Sequence, residues 1–237
     1  MRRVAGAVLC MAIAAGAAAC GGSGSGGSFG GMDANQITMK AFADLKAASS
    51  VHVTGPTSQG AQKYNLDVTL GATNCQGTYA RPGKGTFQVL KVGDATYFSA
   101  DRTFWKLTGT GAGTGSFGGD AAAKTFTGKY LKVGFNSQAL TSLGVLCHPS
   151  QIASAFPAGQ VTGMVERGYT TINGQKALHI TDSGDADGIY VTLSRTPEIL
   201  RLDAGNTANL YFTNYNAPLN LTPPPANVTL DGKKYGF

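Results

Sequence analysis

Tyr64, Leu66, Val68 and Leu70 alternate residue by residue with Lys63, Asn65, Asp67 and Thr69. Successive side chains of an extended chain point to opposite faces, so this stretch is a strand with one dry face and one wet face. Such a strand needs neighbours in register beside it and an apolar layer over its dry face. The same period returns at Val51 and Val53, which alternate with His52 and Thr54, and Gly-rich turns set off strands near 75–81, 85–92 and 95–99. More strands are expected near 160–171, 175–181, 188–194, 198–204 and 207–214, with Asn173-Gly174 as a two-residue turn. Helical period appears between these runs. Ile37, Ala41, Leu45 and Ala48, with Phe42 beside them, form one apolar stripe that Asp33 or Asn35 could cap. Asp101–Leu107 and Ala121–Phe126 read as short helices around a flexible Gly/Thr loop, and GKYLKV as a brief extended piece. Ser137–Leu146 and Pro149–Phe156 read as helical or turn-like, and the prolines of TPPPANVTL bar a central strand there. Consecutive hairpins pair antiparallel. The chain therefore predicts an α+β fold, a strongly curved antiparallel sheet with helices packed on one side.

The first residues answer a different question. Arg2 and Arg3 are followed by an apolar run, Val4–Ala15, and then by the small residues Ala17-Ala18-Ala19 ahead of Cys20. That order is a secretory signal peptide, too short to span a bilayer well. Ala-Ala-Ala-Cys resembles the lipobox of bacterial lipoproteins, which implies cleavage before Cys20 and a diacylglyceryl group on its sulfur. Leu is usual three residues before the cysteine, where this chain has Ala17. Residues 21–31 are almost all Gly and Ser, a flexible coil with an r.m.s. reach of roughly 18 Å. The expected organisation is a signal peptide over 1–19, a lipidated cysteine and tether over 20–33, and one domain over 34–237. The protein is then exported and anchored to the outer face of the cytoplasmic membrane.

Only 14% of the 237 residues are charged, and the formal charge of +6 falls to +4 when the leader's two arginines go. The remaining Lys and Arg are scattered, with no basic stripe and no interleaved aromatics, which argues against nucleic acid. Beyond the leader the cysteines are Cys75 and Cys147. Two cysteines in an exported chain pair, and no second pair of Cys or His is spaced to complete a zinc site.

Catalytic patterns are missing. The nearest approach to a nucleophile elbow, Gly24-Ser25-Gly26, lies in the tether and not between a strand and a helix. His52 and His179 alternate with apolar neighbours and so belong to the polar face of their strands. His148 cannot face the same way as Cys147, which rules out a catalytic couple. Residues 182–188 have the look of a calcium loop, but aligned on Gly188 the first and twelfth positions are Ser183 and Ser194, and strands flank it. A hairpin turn is the better account. The expectation is no enzyme, no metal and no cofactor.

The order of parts carries a resemblance. The lipobox, tether and amphipathic helix are followed by SVHVTG, YNLDVTL, GKGTFQVLKVGDATYF, FWK, GKYLKV and a late INGQKALHITD hairpin. This resembles the actinobacterial lipoproteins related to LppX and LprG, which share the unclosed β-barrel of the carrier LolA. The resemblance implies a half-barrel with helices on its concave side and an apolar cavity for acyl chains, a lipid or a lipoglycan. Leu66, Val68, Phe87, Val89, Phe98, Leu178, Ile180, Val191 and Leu210 are the inward candidates to line it, each also at home in an ordinary core. Phe104 and Trp105 could form a rim, or Trp105 a buried anchor. Two readings follow. One is a membrane-anchored binder or carrier of an amphiphile. The other is a tethered interaction or sensor module with a solid core and an envelope-protein partner.

Overall fold

The computed structural model describes residues 29–108, 119–134, 140, 146–154, 161–184 and 187–237. The leader, Cys20, the tether and the Gly/Thr loop over 109–118 lie outside the described residues, as does most of Ser137–Leu146.

Helix α1 (Ala34–Ala47) comes first. The Asp33 carboxylate accepts from the Gln36 N–H at 2.8 Å, while the Gln36 Oε1 accepts from the Asp33 N–H at 3.0 Å. Two of the four donors that a helix start leaves unpaired are thereby satisfied. Asn35, the other candidate cap, instead accepts from the Met164 N–H at 3.0 Å and ties the helix to the sheet. Two meanders follow. The first runs through β1 (Ser50–Gln59), β2 (Gln62–Gly71), β3 (Cys75–Arg81), β4 (Gly85–Val92), β5 (Ala95–Ala100) and β6 (Tyr130–Val133). The second runs through β7 (Met164–Ile172), β8 (Gln175–Asp182), β9 (Gly188–Thr192), β10 (Ile199–Ala204) and β11 (Ala208–Thr213). Between β5 and β6 come α2 (Arg102–Thr108) and α3 (Gly119–Phe126), and before β7 comes α4 (Pro149–Ala153).

Pairing of β1 with β11 joins the meanders into one open sheet, which a short last strand, β12 (Thr229–Asp231), completes in the order β12-β6-β5-β4-β3-β2-β1-β11-β10-β9-β8-β7. A twisted sheet of twelve strands curls rather than staying flat, and this one forms an unclosed half-barrel. The described α-helices lie on one side. Inward side chains of both meanders and buried residues of α1, α2, α3 and α4 form a single apolar cluster. Helices α1 and α4 pack together toward β7 and β10, while α2 and α3 pack together toward β4.

The structure departs from the sequence reading at one edge. The sheet is not wholly antiparallel, because β12 runs parallel to β6, with Leu230 opposite Leu131. Three residues are too few to show a period, and Pro223–Pro225 precede the strand rather than interrupt it. An outermost strand tolerates such an approach. Two smaller differences concern element ends. Strand β7 begins at Met164, and α4 stops at Ala153.

Candidate functional site

The nine residues expected to face inward share one face of the sheet. Val68 lies opposite Val53 and Gly77, Val89 opposite Gly77 and Phe98, Leu178 opposite Val191, Ile180 opposite Ile189, and Leu210 opposite Leu202. All nine are buried and belong to the same cluster. Ile189, Ile199, Leu202 and Phe212 complete that face. Sequence reasoning passed over them, although their alternation with Tyr190, Arg201 and Tyr211 carries the same signal.

The two halves of this face differ. Around Phe87 the core is aromatic. The Phe87 ring stacks on Tyr79 at 4.8 Å and 3°, and Phe98 and Phe104 lie 5.5 and 5.4 Å away. Trp105 continues the group, 4.9 Å from Phe126, and its Nε1 donates to the Ala100 carbonyl at 3.1 Å. Trp105 is 1% exposed, so it is an anchor and not a rim. Phe237 closes the group from beyond β12, 6.1 Å from Trp105. Rings held at these separations and angles gain from each other beyond their burial. This half is a packed wall. The half formed by β1, β2 and β8–β11 is mainly aliphatic, with Phe212 of β11 and Tyr64 of β2 as its aromatic members, and lies toward α1. Leu66 and Leu210 flank Gly55 there, where the Asn209 backbone carbonyl comes too close to leave room for any side chain, and each is 5% exposed, the highest of the nine.

Two links on β3 hold the segment entering α4. Cys75 and Cys147 form a disulfide with Cα atoms 5.2 Å apart. Four residues further along β3, the Tyr79 hydroxyl donates to the Leu146 carbonyl at 2.8 Å and accepts from the Leu146 N–H at 3.0 Å. Burial pushes the Tyr79 phenol well above its ordinary range. His148 caps α4. Its Nδ1 accepts from the Ser150 N–H at 3.2 Å and lies 2.7 Å from the Ser150 hydroxyl. That is a capping contact, on a residue whose neighbour Cys147 is already cross-linked.

His52 does sit on the outward face. Its Nε2 lies 2.8 Å from Asp67 Oδ1, and its Nδ1 lies 3.2 Å from Thr213 Oγ1. Hydroxyl, imidazole and carboxylate thus line up across β11, β1 and β2. The backbone N–H groups around them are committed to the ladders on both sides of β1.

Neither a protein family profile nor a curated protein matches the chain. Among solved structures it is similar to the lipoprotein LppX of Mycobacterium tuberculosis, at 13% identity and a TM-score of 0.47, covering 80% of this chain and 98% of that one. It is similar to an uncharacterized conserved protein from Thermus thermophilus, at 10% identity and a TM-score of 0.35, covering 84% and 98%. A third likeness is to the Pseudomonas aeruginosa MucA/MucB complex structure, at 16% identity and a TM-score of 0.30, covering 85% and 62%.

Proposed function

We propose that this chain is a membrane-tethered envelope protein that holds the apolar part of an amphiphile against the inward face of its sheet. One observation carries the reading. An open sheet keeps its main apolar cluster on one face, and that face is covered by helices instead of a second sheet. Helices can shift from a sheet that stands on its own ladders, and the half lined by Leu66 and Leu210 is the place for a chain to enter. The aromatic half stays fixed as the wall. The signal sequence, Cys20 and the tether supply the anchor, which keeps the domain within reach of the lipid it would load. No helix among the described residues is long and apolar enough to cross a membrane.

A second reading also has support. Phe87, Leu178, Ile180 and Val191 are fully buried, as expected of a solid core in a tethered interaction module. Leu66→Trp and Leu210→Trp separate the two. In a binder the indole occupies the ligand's place, so co-purified lipid falls while the melting temperature holds. In a solid core the added bulk costs typically about 1–3 kcal/mol, a loss of roughly 2–4 °C in Tm per kcal/mol for a chain of this size. Lower stability in both variants, with no lipid in the wild type, would favour the interaction module.

A further inference from the structure

We propose that the outward face of strands β2–β6 carries a binding groove for a neutral glycan chain. The groove lies on the face opposite the helices, so it is independent of the amphiphile reading. It encloses about 300 Å³, at the lower end of the range for ligand pockets.

The pairing register sets its walls. Asp67, Thr78 and Gln88 lie opposite one another on β2, β3 and β4 and form one row, which Ser99 of β5 extends. Thr69, Gln76 and Leu90 form a second row two residues along the strands. Rows so placed are roughly 7 Å apart, and successive strands about 4.8 Å. Tyr130 of β6 lies at the far end. A strongly twisted sheet is saddle-shaped, so a face that is convex overall is still hollow along one diagonal.

The chemistry of the lining selects the ligand. The Gln76 and Gln88 amides and the Thr69, Thr78 and Tyr130 hydroxyls make no hydrogen bond to another described residue. A carboxamide offers an acceptor and two donors side by side, which matches neighbouring hydroxyls on a sugar ring. Asp67 accepts from His52 through Oδ1 and has its other oxygen open to a further hydroxyl. The Tyr130 ring and Leu90 provide the apolar surface on which the C–H face of a pyranose or furanose can lie. The lining holds one carboxylate and neither Lys nor Arg, with Lys132 beyond it at the end of the second row past Tyr97, so the lining itself favours a neutral chain over phosphate-bearing and uronic polymers. An open groove crossing several strands suits a chain passing over the sheet better than an enclosed small molecule.

The test uses the full chain in detergent and a panel of neutral oligosaccharides, tetramers and longer, built from hexose, pentose or N-acetylhexosamine, with oligogalacturonate as the anionic comparison. Isothermal titration should find at least one neutral oligosaccharide that binds more tightly than oligogalacturonate. Gln76→Ala combined with Gln88→Ala should weaken it at least about tenfold, the loss expected from one or two hydrogen bonds. Tyr130→Ala should weaken it similarly and Tyr130→Phe much less, since stacking survives. Asn206→Ala should change nothing, because it lies in a separate groove of about 190 Å³ between the β10–β11 turn and the adjoining ends of β1 and β2. The side chains of Gln76 and Gln88 are exposed, so their loss leaves the fold intact. The proposal is overturned if no neutral oligosaccharide binds the wild type, if the double glutamine variant binds as well as wild type, or if Asn206→Ala loses as much.

Discussion

His179 is a strand residue with three different kinds of neighbour. Its ring stacks on Tyr190 at 4.2 Å and 2° on the outward face. Arg201 lies over the Tyr190 and Tyr211 rings at 5.1 and 5.5 Å and pairs with Asp203. Arg167 of β7 donates to the Thr181 hydroxyl nearby. His179 Nε2 is buried without a hydrogen-bond partner among the described residues. Burial, and then the Arg167 and Arg201 guanidinium groups, hold the imidazole pKa below its usual value, with Asp203 opposing them. A depressed imidazole pKa means that the unfolded chain takes up a proton near pH 6.5 while the folded chain does not. Folding stability from this site should therefore fall as pH drops through about 6.5, and level off below the folded pKa. His179→Phe keeps the ring and removes the titration. Urea unfolding at a series of pH values should give the wild type the steeper loss between neutral and mildly acidic pH. Parallel slopes would assign that acid sensitivity elsewhere.

The Cys75–Cys147 disulfide and the Tyr79–Leu146 hydrogen bonds work at the scale of elements, because they fasten the start of α4 to β3. The bond closes a loop of 72 residues, for which chain entropy alone gives about 4 kcal/mol. Replacing both cysteines with Ala should lower the unfolding free energy by roughly 2–5 kcal/mol, read from the urea midpoint at unchanged slope. An unchanged midpoint would mean that Tyr79 and the helix contacts already hold the segment. Elements with a clean period were legible in the sequence: β2 from Tyr64–Leu70, and α1 from Ile37, Ala41 and Leu45. The nine inward residues follow from the same alternation, since a strand's dry face is a local property. What stayed hidden depends on distant chain. Neither β12 against β6 nor β1 against β11 leaves a mark in either segment. The outward groove was hidden for the same reason. Asp67, Gln76, Gln88 and Tyr130 each read as an ordinary wet position until register sets them side by side. Trp105 was ambiguous because a single aromatic residue does not reveal how many rings surround it.

At the scale of the whole molecule, an open half-barrel divides its work between its faces. The inward face is apolar and lies under helices, and the outward face over β2–β6 is polar and patterned by cross-strand rows, with a small apolar cluster beyond it at Ile172, Ala177 and Leu200. The central claim, that the inward face takes up an amphiphile, calls for a direct look at what the protein carries. Native mass spectrometry of the full chain, purified in mild detergent from its own membrane, gives that look. The Cys20→Ser variant serves as the control for covalent lipid, and should also leave the membrane fraction. The account predicts a wild-type species heavier than the lipidated polypeptide by the mass of one amphiphile, lost on collisional activation and reduced in Leu66→Trp. A spectrum showing only the polypeptide with its covalent lipid, unchanged by the tryptophan, would contradict it.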